Sequence, residues 1–353
     1  MAKPASLKPT RRVAIACQGG GAQTAFTAGA LKILVAGERE GGYRITGLSG
    51  TSGGAICAAL AWCGLVAETA REKGRQRAIA MLDAFWHDNS ALLPPELIWN
   101  GWTVLTAELQ DSGLMPTFGT SPYLPPVDAA TELLKSVAPR RQFFDLRDLL
   151  DTHLPLAEAA QPVAEPRLLV GAVEVLSGQF KAFDSSLAEI SLDAILASTT
   201  LPTMAKATRI GDAVYWDGLF SQNPPLREFL QGVELGDKPD EIWIVRINPQ
   251  LRNSEPTTSE AIQDRRNELA GNLSLNQELD FVRKVNAWLA SGKLAASDKK
   301  PIALAEITMS EGYAEHLDYA SKLNRAPTFI AGLMADGEEQ AAAFLRGRRA
   351  GRK

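Results

Sequence analysis

The chain has 353 residues, 45% of them hydrophobic, and a formal net charge of −4. This composition suits a large buried core and gives no basis for broad nucleic-acid binding. No apolar run approaches the roughly 20 residues that a membrane-spanning helix needs, and no secretory signal is visible. Its three cysteines, Cys17, Cys57 and Cys63, indicate a reducing compartment. We expect a cytoplasmic protein whose only membrane contact would be peripheral.

The first predicted strand, Val13–Cys17, leads into three consecutive glycines, Gly19, Gly20 and Gly21, and then into a predicted helix over 23–36. Glycines at such a junction leave backbone N–H groups bare, and these can bind a phosphate or the oxyanion of acyl transfer. A dinucleotide fingerprint does not fit, because Thr24 stands where its last glycine belongs, and a P-loop lysine is missing. A tight turn without a ligand is the alternative.

Residues 50–54 read Gly-Thr-Ser-Gly-Gly, between a strand-like run at 45–48 and a helix-like run at 54–61. The pattern G-x-S-x-G places a serine on a sharp strand-to-helix turn, where side chains at Gly50 and Gly54 would clash with neighbouring elements. The amides at the start of the following helix favour negative charge beside the serine. The pattern predicts Ser52 as a nucleophile, although a purely structural turn can have the same composition.

The segment 86–145 combines prolines with bulky apolar residues. Such a segment between core elements is typical of a lid or a channel wall. It contains Trp99 and Trp102, which we predict to contact substrate or a membrane surface, with ordinary core packing as the alternative.

Strand-like and helix-like runs alternate along most of the chain. Further strands are predicted at 167–175, 178–183, 214–216, 241–247 and 302–308, and further helices at 67–86, 191–198 and 259–291. This alternation predicts a mainly parallel α/β sheet covered on both faces. Asp217 and Gly218 follow the strand at 214–216, so the carboxylate is expected at a strand end, where active-site groups gather in such sheets.

Together these segments resemble the patatin-like phospholipase family. That family has a glycine-rich oxyanion loop, then a G-x-S-x-G serine, and much later an Asp-Gly pair, and this chain has all three in that order. Residues 197–202 and 223–225 are also similar to the family. The resemblance is strong over residues 11–225 and weaker to about residue 348.

The resemblance implies a three-layer α/β/α patatin-like fold and a lipid acyl hydrolase that needs neither cofactor nor metal. Ser52 would be the nucleophile and Asp217 its base, without a histidine. The N–H groups of Gly20 and Gly21, helped by Gly19 or Gly53, would hold the oxyanion. The chain departs from the family pattern at residues 23 and 24, where glutamine and threonine replace a cationic residue and a glycine; we expect this to affect only rate or substrate preference.

Two alternatives remain open. Ser52, Asp217 and His316 occur in the order of an α/β-hydrolase triad, and a non-catalytic lipid-binding module would keep the same fold. The acyl donor is equally open among phospholipids, glycerides, short esters and polyesters, and nothing indicates the oligomeric state. We expect an N-terminal tail at 1–11, one catalytic domain at 12–340 and a basic C-terminal tail at 341–353.

Overall fold

The structure is a computed structural model that describes residues 10–350 except 39, 117–120, 160, 203, 232–233, 249, 252–254, 296–298 and 315–316. Its strands are β1 Arg11–Cys17, β2 Tyr43–Thr51, β3 Arg167–Glu174, β4 Phe180–Asp184, β5 Thr208–Ile210, β6 Ala213–Asp217, β7 Glu241–Arg246 and β8 Ala303–Thr308. Its α-helices are α1 Ala25–Gly37, α2 Gly53–Val66, α3 Arg71–Asn89, α4 Pro94–Asp111, α5 Pro125–Val137, α6 Arg141–Phe144, α7 Leu146–His153, α8 Leu192–Thr199, α9 Ser259–Ala290, α10 Glu311–Ala314, α11 Tyr319–Leu323 and α12 Pro327–Ala350.

The strands form one mixed sheet with a parallel centre. They pair in the order β5-β6-β3-β2-β1-β7-β8, and β4 also pairs with β3. The pairs β3–β2, β2–β1, β1–β7 and β7–β8 are parallel, whereas the pairs that involve β4, β5 and β6 are antiparallel. The mainly parallel sheet expected from the alternating pattern is confirmed.

Both faces of the sheet are covered. Along β1, Val13, Ile15 and Cys17 point to one face and pack with α1, α2, α3, α8 and α12. Ala14 and Ala16 point to the other face and pack with α9 and the segment 226–230. This alternation is the period of two that a strand imposes on its side chains. The molecule therefore has the three-layer α/β/α architecture.

The segment 86–145 is largely helical, since it contains α4, α5 and α6. Helix α4 begins where Pro94 and Pro95 cannot donate hydrogen bonds, and the Glu96 carboxylate accepts the N–H groups of Leu92 and Leu93 at 2.8 and 3.0 Å. Proline in the first turn and a carboxylate that reaches back are favourable helix starts.

The C-terminal residues 341–350 are part of α12 rather than a solvated tail. Ala341 and Leu345 are buried in the core. Arg348 forms an ion pair with Glu241 and lies over the ring of Trp243. The sequence suggested a tail because the arginines dominate its composition, but the buried side chains between them hold this helix against the sheet.

Within the part of the chain that the structure describes, no helix combines the length and the apolar character needed to cross a membrane.

Candidate active site

The ends of β2 and β6 meet on one edge of β3. Thr51, the last residue of β2, pairs with Gly171, and Asp217, the last residue of β6, pairs with Ala172. The other edge of β3 is occupied by β4, so β2 and β6 approach each other along the same edge from opposite directions. Because Ser52 follows Thr51 directly, this register brings the serine and the aspartate to one place.

Ser52 stands on a strained turn between β2 and α2. Its φ of 56° and ψ of −134° lie in a region that residues other than glycine rarely occupy. A β-carbon on Gly50 would lie 2.4 Å from the carbonyl oxygen of Gly54, and one on Gly54 would lie 2.3 Å from that of Cys17. Both glycine positions of the pattern therefore exclude a side chain.

A buried serine on α8 holds the strained turn. The N–H of Ser52 donates to both the carbonyl oxygen and the Oγ of Ser198, at 3.1 and 3.0 Å. The Ser198 hydroxyl in turn donates to the carbonyl oxygen of Gly171 at 2.6 Å. Ser198 thus ties the backbone of the serine turn to β3.

Asp217 is completely buried at the end of β6. Its Oδ1 accepts the N–H of Leu219 at 2.8 Å, whereas its Oδ2 has no partner of normal hydrogen-bond geometry among the described residues. Burial raises the pKa of the carboxyl to about 7, although the N–H of Leu219 and the nearby Ser52 side chain both favour the ionised form. Desolvation outweighs these two contacts because few groups here replace water around the charge.

The glycine loop between β1 and α1 also reaches this place. The N–H of Gly19 donates to Asn223 Oδ1 at 2.7 Å. Within the described residues, the N–H groups of Gly20 and Gly21 donate to no protein acceptor. Gly53 is the first residue of α2, and an N–H at that position has no partner inside its own helix. In the described part of the chain, three of these amides thus have no protein acceptor, whereas the fourth, that of Gly19, is engaged although the sequence led us to expect it open.

Gln18, just before the glycines, anchors this loop through three hydrogen bonds. Its Oε1 accepts the N–H groups of Ile247 and Asn248 at 2.9 and 3.0 Å, and its Nε2 donates to Asn272 Oδ1 at 3.0 Å. A buried side chain that bonds both to the residues after β7 and to α9 fixes where the glycines begin.

The family model for patatin-like phospholipases matches residues 15–230, which is more than half of the chain. The chain belongs to the patatin-like phospholipase family. Membership in this family places the chain among lipid acyl hydrolases. The matched range includes the glycine loop, the serine turn and the Asp-Gly pair. Among curated proteins, no sequence relative was found.

Two solved structures are distantly similar to this patatin-like chain. VipD from Legionella pneumophila shares 12% identity at a TM-score of 0.40, and the alignment covers 97% of this chain and 67% of that one. The type III effector protein ExoU shares 15% identity at a TM-score of 0.35, with 96% and 53% coverage. The chain thus spans about two thirds and about half of the length of these proteins.

The patatin-like site opens into a cavity of about 430 Å³. Its lining includes residues 19–22, Ser52, Gly53 and Asp217. Much of the remaining wall is apolar and includes Ile56, Phe85, Trp86, Phe143, Leu146 and Leu201. Such a wall suits an alkyl chain, because burying the alkyl chain there removes apolar surface from water without leaving polar groups unpaired.

The two predicted tryptophans occupy different positions. Trp99 lines the cavity and is also partly exposed at its mouth, whereas Trp102 is 62% exposed and does not line it. Both belong to α4 and are three residues apart, so they are neighbours along one face of the helix, about one turn from each other. Of the two, Trp99 alone is among the residues that line this cavity, and contact of either side chain with substrate or a membrane surface stays a prediction.

Gln23 and Thr24, which depart from the family pattern, stabilise the glycine loop. Gln23 is buried, and its Nε2 donates to Ser321 Oγ at 2.8 Å. The Thr24 hydroxyl donates to the carbonyl oxygen of Gly21 at 2.6 Å. Both side chains therefore stabilise the glycine loop through neutral hydrogen bonds.

Sequence reasoning assigned no role to Gln18, Ser198 or Asn223. Each is a buried polar residue in or next to one of the motifs. A polar side chain inside an otherwise apolar or glycine-rich segment was the available signal, since buried polar groups generally need partners.

Proposed function

We propose that this chain is a serine acyl hydrolase that cleaves lipid esters through an acyl-Ser52 intermediate, with Asp217 as the base. One observation carries the proposal. A serine on a strained turn, a carboxylate oxygen that has no partner of normal hydrogen-bond geometry among the described residues, and glycine amides beside them all border one cavity. This is the set that acyl transfer requires: a nucleophile, a base and donors for the oxyanion.

In the proposed reaction, Ser52 Oγ attacks the ester carbonyl carbon while its proton passes to Asp217. The carbonyl oxygen becomes an anion, which the N–H groups of Gly20, Gly21 and Gly53 stabilise. The carbon–oxygen bond to the alcohol then breaks, and the alcohol leaves with the proton from Asp217. Water repeats the sequence on the acyl-serine and releases the fatty acid.

Asp217 suits this role because of its environment. A carboxyl with a pKa of about 7 is substantially ionised at neutral pH and is a stronger base than an exposed aspartate. The N–H of Leu219 engages only one of its two oxygens. The other oxygen remains for the serine proton.

Gly19 receives a positioning role in this proposal. Its N–H is occupied by Asn223 Oδ1, so it cannot donate to an oxyanion while this bond persists. A β-carbon at Gly19 would also lie 2.7 Å from Ser52 Cβ. Gly19 therefore allows the loop to approach the nucleophile closely.

The test is a panel of esters that includes short acyl esters, glycerides and phospholipids. Wild type should hydrolyse at least one class, and Ser52→Ala and Asp217→Asn should each lower its kcat by about 10³-fold or more. Ser112→Ala, an exposed serine outside the cavity, is the matched control and should leave the rate unchanged. Equal rates in wild type and Ser52→Ala would favour a non-catalytic lipid-binding module.

The triad alternative needs a separate test, because His316 lies outside the described residues. With Asp217 as the direct base, His316→Ala should keep most of the activity. If that variant is as inactive as Ser52→Ala, the dyad is wrong and a triad with His316 replaces it.

We also propose that the mouth of the cavity faces a lipid surface. Ile98, Trp102 and Leu105 form an exposed apolar stripe on α4, and Leu269 and Leu273 are exposed on α9, which contacts α4. An apolar patch beside the opening of a lipid-binding cavity is suited to contact with acyl chains at a membrane.

Vesicle binding tests this contact through tryptophan fluorescence. On addition of zwitterionic vesicles, tryptophan emission should shift to the blue in wild type and less in Trp102→Ala. An unchanged wild-type spectrum contradicts the contact.

A further inference from the structure

Part of the cavity wall is formed by buried polar side chains that the proposed reaction does not use. Asn223, Asn248 and Glu268 all line it, and each is at most 3% exposed. They come from the segment after the Asp-Gly pair, from the residues just after β7 and from α9. They line the same cavity as the proposed catalytic groups, and they are polar where much of the lining is apolar.

Two of these side chains pack closely against Gly271 of α9. A β-carbon at this glycine would lie 2.9 Å from Asn223 Nδ2 and 3.4 Å from Asn248 Nδ2. Glu268 lies one turn earlier on the same helix, and residues three apart share a helix face. Two carboxamide donors and a carboxylate acceptor are thus collected in one corner.

The orientation of Asn223 is fixed by its other partner. Its Oδ1 accepts the N–H of Gly19 at 2.7 Å, so the amide must direct its Nδ2 the other way. That Nδ2 is buried and has no hydrogen-bond partner among the described residues. A buried donor without a partner is unfavourable unless a ligand or water meets it. Glu268 supplies a complementary acceptor, although its Oε2 also accepts from Arg265 Nη1 at 3.1 Å.

Resting on the proposed function, we propose that this corner is the subsite for the leaving alcohol, and that it selects esters whose alcohol carries further free hydroxyl groups, such as monoacylglycerols. A hydroxyl both donates and accepts, so it can donate to the Glu268 carboxylate and accept from the carboxamide N–H groups. An unsubstituted alkyl alcohol would offer nothing to Asn223 Nδ2, which has no hydrogen-bond partner among the described residues. Sites built to bind a hydroxyl discriminate against analogues that lack it.

The test compares two esters of one acid, 1-decanoylglycerol and propyl decanoate, which share a three-carbon alcohol and differ only in its two free hydroxyls. Wild type should show a kcat/KM for the glycerol ester at least about tenfold above that for the propyl ester. Glu268→Gln should reduce this ratio, since a neutral amide is a weaker acceptor for a hydroxyl proton than a carboxylate.

Gly271→Ala is the sharper variant. It adds a methyl group to the proposed subsite without any change of charge, and alanine is a better helix former than glycine. The ratio should fall towards one, with a KM increase for the glycerol ester that exceeds the increase for the propyl ester. Asp280→Asn, an exposed position on the same helix, should leave both rates and their ratio unchanged. Circular dichroism of each variant checks that it is folded.

The outcomes separate this inference from the function on which it rests. Ser52-dependent hydrolysis with a wild-type ratio near one, or a high ratio that folded Gly271→Ala and Glu268→Gln both retain, overturns the alcohol subsite and leaves the hydrolase standing. Hydrolysis that does not depend on Ser52 overturns both.

Discussion

Thr51 and Asp217 occupy successive register positions on the same edge of β3, opposite Gly171 and Ala172. The C-terminal ends of β2 and β6 are therefore adjacent, and the residue after Thr51, Ser52, is the proposed nucleophile. The glycine at position 218 is part of this arrangement, because a β-carbon there would lie 2.5 Å from the carbonyl oxygen of Gly171. In the Asp-Gly pair, Asp217 thus supplies the carboxylate, and Gly218 allows the backbone to turn in close contact with β3.

The activity should depend on pH through Asp217. Only the ionised carboxyl can accept the serine proton, and burial raises its pKa to about 7. We expect kcat/KM for a soluble short ester to rise about tenfold per pH unit below this value and to level off above it. A rate that is flat between pH 5 and 9 contradicts this. The profile of His316→Ala should have the same limb, which separates an aspartate base from a histidine base.

Asp217→Asn should stabilise the protein at alkaline pH. Below about pH 4 both folded and unfolded chains hold the proton, so the substitution changes little. Between the ordinary pKa of 3.8 and about 7 the unfolded chain loses the proton while the folded one keeps it, so the free energy of unfolding of wild type falls as pH rises and is constant above 7. The gain from asparagine at pH 8 is at most about 4 kcal/mol, because each tenfold difference in proton affinity between the two states corresponds to about 1.4 kcal/mol.

Urea denaturation of both proteins at pH 4 and pH 8 measures this difference. Asparagine keeps an acceptor for the N–H of Leu219, so no contact of the native carboxyl is lost. A variant that is less stable than wild type at pH 8 would show that groups other than Leu219 and Ser52 compensate the buried charge.

Gly54→Ala should destabilise the serine turn. The added methyl group would lie 2.3 Å from the carbonyl oxygen of Cys17, and overpacking of this kind costs about 1–3 kcal/mol. Gly101→Ala is the matched control, because its added methyl meets nothing within 4 Å. Thermal denaturation should show a lower Tm for the first variant and an unchanged or slightly higher Tm for the second. Equal Tm values would mean that the turn relaxes without strain.

Ser198→Ala should lower the turnover rate by loosening the serine turn. The variant loses one acceptor of the Ser52 N–H and the bond to Gly171, and a hydrogen bond contributes about 1 kcal/mol. We expect kcat to fall by about tenfold with KM nearly unchanged, since Ser198 positions the nucleophile and does not touch the acyl chain.

Ser191→Ala is the control for that experiment. Ser191 caps the same helix by accepting the N–H of Ala194 at 3.1 Å, and loss of such a cap costs about 1 kcal/mol of stability. It should lower the Tm without changing kcat. If both variants lower kcat equally, the effect of Ser198 is one of helix stability rather than of positioning.

Much of the fold follows from local patterns. The runs at 13–17 and 242–245, within β1 and β7, are continuous and apolar, which is how buried parallel strands differ from exposed ones. Helix α12 was missed because basic residues and alanines weaken its apolar periodicity, and its stability comes from close packing on α1, where a β-carbon at Gly29 would lie 1.9 Å from the Met334 carbonyl oxygen. Leu269 and Leu273 of α9 are exposed, which the sequence does not reveal, since periodicity shows that a helix has an apolar face but not what covers it.

The sequence alone determined the family and which residues are candidates for the reactive groups. The serine turn and the glycine loop are each recognisable from a few adjacent residues, although the close contacts that require glycine at positions 19 and 54 join the two segments to each other. Tertiary structure decided that Asp217 reaches Ser52, that Asn223 occupies the amide of Gly19 and that Glu268 borders the same cavity. These relations depend on strand register and helix packing between residues far apart in the chain, and no pattern of neighbouring residues encodes them.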